Sequence, residues 1–339
     1  MSEIKFFQRS AIVIVLSALL YGCNSAANSS NQPTEAQYEN FSYTKVGVAL
    51  NAEYSVNNLF VSNGSIYLSL ADQEESTFGY AQIDKNASSS GSYQTIYLTT
   101  PNDHQYSLIG DMVVNQDDST FYVPVAYSNG SGYDYTWLKY QPGATVSFGR
   151  VGNYPVSYES SSQFALKSAS FSGGMIYANY ASNLVGFAEN SSKELFKDNQ
   201  LLLSWQDSFT VAGNEMIAIN QNDNGLVRLS LDSKSQSPIG ENFVALASKG
   251  FEAMPKFTIY NHNIYTLAIY RSGSNQTPHL ALCQISDAAN STDEWGCKVA
   301  KNSLTIGSQL INLDVDKQTG KLYFVSYNLV NGTQLYVIN

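Results

Sequence analysis

"VDKQTGKLYFVSY", Val315 to Tyr327, decides the reading of this chain: a polar turn closed by glycine, then a run with aromatic and β-branched residues at its centre. Asp, Gln, Thr and Gly supply turn geometry, and Leu-Tyr-Phe-Val is a strand-forming composition. Looser copies occur upstream as "LFVSNGSIYLSL", "MVVNQDDSTFYVPV", "SASFSGGMIYANY", "FTVAGNEMIAIN" and "FTIYNHNIYTLAIY". Each is an apolar segment, a short turn rich in Asn, Gly, Asp or Ser, and an apolar-aromatic pair. The pairs end at Tyr67, Tyr122, Tyr177, Ile217, Tyr265 and, in the opening stretch, Tyr323. Hairpins of one design, repeated along a chain, predict a repeat architecture.

The pair ends lie 40 to 58 residues apart, close to the span of a propeller blade made of four short strands. Further strand-like runs follow most pairs, among them "TWLKYQ" from Thr136, "TVSFGRV" from Thr145 and "GLVRLSL" from Gly225. A sheet of this size cannot bury both faces alone, and stacking the units in a ring covers the faces of all of them. The expectation is therefore an all-β fold: a six-bladed β-propeller over residues 41–339. A seven-bladed ring is the alternative if an irregular unit lies near Gly186 to Trp205, and a pair of β-sandwiches comes third. The last unit has room for three strands, near Ile311 to Val315, Lys321 to Tyr327 and Gln334 to Ile338. "FSYTKVGVAL", Phe41 to Leu50, is an alternating strand with no unit of its own. Added to the last blade it would supply the fourth strand and hide two open edges.

Composition agrees with this reading. Apolar residues make up 43% of the 339, only 14% are charged, and there are 24 Tyr, where long amphipathic helices would demand far more Glu, Lys, Arg and Ala. The formal net charge is -10, and with no Lys/Arg cluster to offset it a nucleic-acid partner is excluded on electrostatic grounds.

Met1 to Arg9 carries Lys5 and Arg9 and is followed by an apolar run, Ala11 to Leu20, too short to span a bilayer. This is the pattern of a signal peptide. The run closes on Leu20-Tyr21-Gly22-Cys23, which resembles the lipobox of bacterial lipoproteins. The resemblance implies cleavage after residue 22 and a diacylglycerol on the Cys23 thiol, with acylation, for instance by palmitate, of the freed amine. Asn24 in place of Asp after the cysteine implies the outer membrane, in a bacterial cell envelope and on either its periplasmic or its exposed side. Residues 23–40 hold almost no apolar content beyond the anchor and read as a flexible tether. Asp316 to Tyr323, "DKQTGKLY", resembles the turn of NHL-type and related bacterial β-propellers, a likeness that loosely covers residues 42–339; the unit lengths vary and Ile217 stands where the other units carry Tyr.

With Cys23 taken by lipid, Cys283 and Cys297 remain, and in an oxidising compartment they are expected to form a disulfide. Closing a loop of this length is worth about 3 kcal/mol in the chain-entropy model.

Chemistry is nearly absent from the motifs. His104, His262 and His279 are far apart and belong to no zinc or triad pattern, and no P-loop, nucleophile elbow or dinucleotide fingerprint occurs. Asp117 and Asp118 occupy the turn equivalent to the one carrying His262, and Asx turn chemistry accounts for them. Asp314 with Asp316, and Glu74 with Glu75, hint at calcium but lack the alternation of oxygen ligands a calcium loop shows. Catalytic, cofactor-binding and metal-binding residues are accordingly none, and no cofactor is expected. Trp137, Trp205 and Trp295 are candidate stacking platforms for a sugar or a protein, against the plainer reading that they pack between blades. The repeated tyrosines are expected between blades. Functionally the expectation is a lipid-anchored envelope module that binds a protein or glycan through one face of the ring. The alternatives are a carbohydrate- or lactone-acting hydrolase or lyase with its site at the ring mouth, and a structural subunit of an envelope complex.

Overall fold

A computed structural model of the chain describes residues 40–46, 54–72, 78–85, 94–98, 104–110, 112–128, 130, 132–141, 148–158, 166–180, 183–188, 191–196, 209–220, 225–271 and 277–339. The chain divides into two units, Met1–Pro33 and Thr34–Asn339, and every described residue belongs to the second. Cys23, Glu74, Glu75 and Trp205 lie outside the described residues, as do the proposed signal peptide and residues 47–50 of the expected N-terminal strand.

Six small sheets form a ring, a six-bladed β-propeller. Each hairpin of the repeat supplies the two inner strands of one blade. Blade 1 runs Tyr54–Ser62, Ser65–Asp72, Phe78–Asp84 and Gln94–Tyr97. Blade 2 has its inner strand split into Tyr106–Leu108 and Val113–Asn115, both paired with Thr120–Ser128, followed by Tyr133–Tyr140 and Phe148–Tyr158. Blade 3 is Leu166–Ser172, Met175–Tyr180, Asn183–Ala188 and Ser191–Phe196. The described part of the segment expected to hold a seventh blade, residues 186–188 and 191–196, thus lies in the outer strands of the third. Blade 4 is Phe209–Ala212, Glu215–Asn220, Gly225–Ser230 and Gln236–Ile239. Blade 5 is Phe251–Tyr260, Asn263–Arg271, Pro278–Ser286 and Gly296–Ser303. Blade 6 is Gln309–Val315, Leu322–Asn328 and Gly332–Ile338, with Tyr43–Val46 on its outer edge.

Tyr43–Val46 lies antiparallel to Leu335–Ile338, with Lys45 opposite Tyr336. Just before it, Asn40–Phe41 runs parallel to Val299–Ala300 on the outer edge of blade 5. One short segment therefore borders two blades, and the second pairing is not part of the sequence expectation.

The purpose of the repeated aromatic is visible in the ladders. Tyr67, Tyr122, Tyr177, Ile217, Tyr265 and Tyr323 pair with Phe60, Val113, Ser170, Thr210, Thr258 and Asp314 respectively, at one level of every blade. Because alternate residues of a strand share a face, each repeated side chain turns toward the next blade. Tyr67 packs with Phe121 of blade 2, Tyr122 with Val185 and Phe187 of blade 3, Tyr177 with Phe209 of blade 4, Ile217 with the core of blade 5, Tyr265 with Leu313 of blade 6, and Tyr323 with Leu59 of blade 1. The described core consists of one apolar cluster at each blade junction, the sixth joining blade 6 to blade 1. Burial of these side chains, at about 1.5–3 kcal/mol each, is what drives the sheets together.

Cys283 and Cys297 are disulfide-bonded and directly opposite on neighbouring strands of blade 5. The bond closes the loop that carries Trp295. The Trp295 indole N–H donates to the Glu241 carbonyl at 3.0 Å, fastening blade 5 to the end of blade 4.

Candidate functional site: the axial mouth at the hairpin end

The turns joining the two inner strands of each blade occupy equivalent positions, so they gather at one end of the ring. Three of them are two-residue turns with both residues left-handed: Asn63-Gly64, Gly173-Gly174 and Asn261-His262. The turn in blade 6 is longer. Asp316 N–H donates to the Lys321 carbonyl at 2.8 Å, and the Asp316 carboxylate accepts from Gln318 N–H at 3.1 Å and Thr319 Oγ1 at 2.6 Å. Gly320, at φ 73°, closes the turn against Tyr260 of blade 5, where an added Cβ would come within 2.8 Å of the ring. This turn is the "VDKQTGKLY" stretch, and its length gives it a second use: it carries Lys317 out over the mouth.

A half-open recess of about 240 Å³ lies there, lined by Val114, Asn115, Gln116 and Asp117 of blade 2, Phe171, Ser172, Gly173 and Gly174 of blade 3, and Lys317 of blade 6. In a six-membered ring, blades 3 and 6 face each other, so a recess touching both lies on the axis. Its wall is polar, with Phe171 and Val114 as the apolar members. The Phe171 ring is stacked on Tyr122 at 5.1 Å. At Gly173 and Gly174 a Cβ would meet nothing within 4 Å, so the turn borders open space.

Below the recess Asp314 ties several blades together. Its Oδ2 accepts from Val61 N–H of blade 1 at 2.8 Å and from Gln116 Nε2 of blade 2 at 2.9 Å. Its Oδ1 accepts from Val315 N–H at 2.8 Å and from Thr258 Oγ1 of blade 5 at 3.3 Å. Burial pushes this carboxyl up to about 6, against the opposing pull of the Val61 and Val315 N–H groups, the Lys317 charge and Thr258. Asp316, two residues on, behaves oppositely. Burial acts to raise it, but hydrogen bonds from Lys85, Thr319 and the Gln318 N–H, with the Lys85 charge, leave it below the usual carboxylate range. Lys85 Nζ of blade 1 sits 2.8 Å from Asp316 Oδ2. One rung deeper, Asn58 of blade 1 is hydrogen-bonded to Asn312 of blade 6 and donates to the Met112 carbonyl of blade 2.

The residues singled out from the sequence fall differently. The histidines do not converge. His104 stacks on Tyr127 at 4.4 Å in blade 2. His262 and His279 stand near opposite ends of the blade 5 hairpins, at the levels of Asn263–Ser286 and Tyr270. His262 is 91% exposed and 3.2 Å from Asp287, and His279 Nδ1 is 3.1 Å from the Ala300 carbonyl. Trp137 and Trp295 are not exposed platforms. Trp137 is fully buried at the junction of blades 2 and 3, edge to face with Phe187 at 6.2 Å, and Trp295 is 6% exposed. The plainer reading holds for both, because a large apolar ring gains more between sheets than in water. Asp118 caps its own turn by accepting from Thr120 N–H at 2.9 Å, whereas Asp117 reaches the recess. Among the described residues no three His, Cys, Asp or Glu side chains gather as a metal site.

Gln116, Ser172 and Lys317 are absent from the sequence reading. A signal for the site was present in the aligned copies. At the ladder level of the repeated aromatic, five units place Phe, Val, Ser, Thr and Thr, and the sixth places Asp314.

No family model and no curated protein matches the chain. Among solved structures it is similar to a luciferin-regenerating enzyme, at 12% identity and a TM-score of 0.49 over 88% of this chain and 95% of that one. It is also similar to a subtype N10 neuraminidase-like protein (A/little yellow-shouldered bat/Guatemala), at 8% identity and 0.45 over 88% and 98%. What those proteins bind or catalyse says nothing of this chain at such values.

Proposed function

We propose that this chain is a binding module that engages its partner through the axial mouth at the hairpin end. The observation that carries the reading is the recess itself: a polar, half-open hollow on the axis, with Asn115, Gln116, Asp117, Ser172 and Lys317 around an aromatic edge. Convergent polar groups on a rigid scaffold beside an aromatic surface are how proteins hold a hydroxyl-rich group or a short polar loop. The partner class is a glycan or a protein of a bacterial envelope. The resemblance of Leu20 to Cys23 to a lipobox supports an outer-membrane anchor at Cys23, with residues 24–39 as the tether. Among the described residues no helix is long and apolar enough to cross a membrane.

The hydrolase reading has one observation on its side, a buried carboxyl held at about 6. Asp314, however, does not line the recess, and its oxygens are engaged by four donors.

The test is a pull-down and glycan screen with the anchored full chain and with Ser172→Trp, which fills the recess from its rim. The reading expects a partner or glycan that the wild type retains and the plugged variant loses at unchanged thermal stability. Retention by both, or capture of nothing by either, overturns it.

A further inference from the structure

Gln116 stands between the recess and the buried carboxyl. Its side-chain nitrogen donates to Asp314 Oδ2 at 2.9 Å, while the residue lines the recess. An ionised carboxylate only accepts hydrogen bonds. It therefore fixes the orientation of this amide, holding the NH₂ on Asp314 and turning the carbonyl oxygen away from the carboxylate.

We propose that Asp314 and Gln116 form a proton-driven relay in which the charge state of the buried carboxyl decides which end of the Gln116 amide the recess presents. Gln116 is then the specificity-determining residue of the mouth, and Asp314 its positioning residue. This rests on the recess being the binding surface. With Asp314 ionised, the recess offers an acceptor and selects ligands that present hydroxyl or ammonium donors. On protonation from solvent, Asp314 becomes an O–H donor, the amide turns so that its oxygen accepts that proton, and the NH₂ faces the recess. The mouth then favours carbonyl or carboxylate acceptors. No covalent bond other than O–H is made or broken.

The surroundings allow the switch to work by protonation of Asp314 alone. Blade 1 faces the carboxyl with Val61 N–H, and blade 5 faces it with the Thr258 hydroxyl, which accepts as readily as it donates. The charged neighbours are Lys317, which opposes protonation, and Asp316, neutralised by Lys85; Tyr323 lies opposite across the ladder and Asp117 on the recess wall. Burial raises the carboxyl to about 6, within reach of mild acid. Asp316 is held low and stays ionised through that range.

The test is a pH titration of the isotopically labelled full chain by nuclear magnetic resonance. It follows the Asp314 carboxyl carbon and the Gln116 side-chain NH₂. The expected result is one shared midpoint near 6, with the Gln116 signals fixed in Asp314→Asn. Gln116 signals that stay still through the Asp314 transition, or that move equally in Asp314→Asn, overturn the proposal. Should that variant fail to fold, Gln116→Leu serves instead. Loss of the amide donor must then raise the Asp314 midpoint, and an unchanged midpoint overturns the relay. Neither readout uses a partner, so a failed pull-down leaves the relay standing, and a fixed Gln116 leaves the Ser172→Trp result standing.

Discussion

At the junction of blades 2 and 3 the contact is made of rings. Tyr122 stacks on Phe171 at 5.1 Å, Trp137 meets Phe187 edge-on, and Val113, Ile176 and Val185 fill the rest. At the junction of blades 6 and 1 an aliphatic cluster persists, with Leu59, Ile66, Val325 and Leu335, but the axial end is polar. There Asp314 accepts from the Val61 N–H, the Asn312 side-chain NH₂ donates to Asn58 Oδ1, and Asp316 pairs with Lys85. The two junctions differ in one covalent respect. Blades 2 and 3 follow one another along the chain, whereas the three inner strands of blade 6 come from its far end and meet blade 1 with only the outer strand Tyr43–Val46 supplied by the adjoining sequence. Apolar surfaces bind without specifying which rung meets which. Directional hydrogen bonds to carboxylates do specify it, and the structure places them where the facing inner strands are farthest apart in sequence, Val61 and Asp314 being separated by 253 residues. The recess borders this polar set, so the groups that fix the register of the ring also shape its mouth.

The sharpest way to break the comparison is at the ring-lined junction. Trp137→Ala removes a fully buried side chain and is expected to cost about 3–5 kcal/mol by lost transfer energy and cavity formation. Trp137→Phe is expected to cost much less. Among the described residues the indole Nε1 has no hydrogen-bond partner, so its removal relieves an unsatisfied buried group and partly offsets the lost area. Urea unfolding of both variants checks this. A Trp137→Phe loss as large as that of Trp137→Ala would show that the contact is specific rather than merely apolar.

The polar junction should instead answer to pH. The folded-state value of Asp314 lies above its unfolded one, so its contribution is complete below about 4 and is lost as pH rises through about 6. Ionising it therefore costs the ring roughly 2–3 kcal/mol by neutral pH. Asp316 runs the other way. Its depressed value contributes stability present above the unfolded carboxylate range and lost as pH falls through the folded value. Stability from this pair should peak in mild acid and fall on both sides. Asp314→Asn should flatten the limb between about pH 4 and 6 while leaving the acid limb. Melting temperatures across pH for both proteins decide it; an unchanged neutral limb in the variant would remove Asp314 from the account.

These two junctions also mark what could be read without coordinates. The ring-lined one was legible, because Tyr122 repeats a position held by Tyr in four other units, each with an apolar segment and a turn, and such periodicity survives in a bare sequence. The polar one was legible only at Asp314, as the odd residue among the aligned copies. Asp314 and Asp316 look alike in sequence, as a spaced acidic pair, yet one is buried under the recess and the other is held by a lysine more than two hundred residues away. Gln116 carried no signal, since its role depends on which atom of its amide faces a carboxylate from a distant blade. The blade count was legible from the hairpins. The fate of Trp137 and Trp295 was not, because composition gives no direction to a side chain.

The smallest effect is expected at the outer edge, where Tyr43–Val46 lies beside the last strand. Asn339 N–H donates to the Ser42 carbonyl at 2.9 Å. In an antiparallel ladder the hydrogen-bonded pairs alternate, so with Thr44 opposite Val337 the Thr44 N–H points inward at the Val337 carbonyl. Thr44→Pro deletes that donor, and proline at such a position is tolerated in sheets only where its nitrogen faces solvent. The expected cost is about 1–2 kcal/mol, one ladder bond and an orphaned acceptor. Lys45→Pro places the ring nitrogen outward and should cost clearly less. Hydrogen exchange at Leu335 to Ile338 would show faster opening in the first variant than in the second. If the two behave alike, the strand is decoration on an already closed ring, and the contrast between blades 6 and 1 and blades 2 and 3 rests on the axial carboxylates alone.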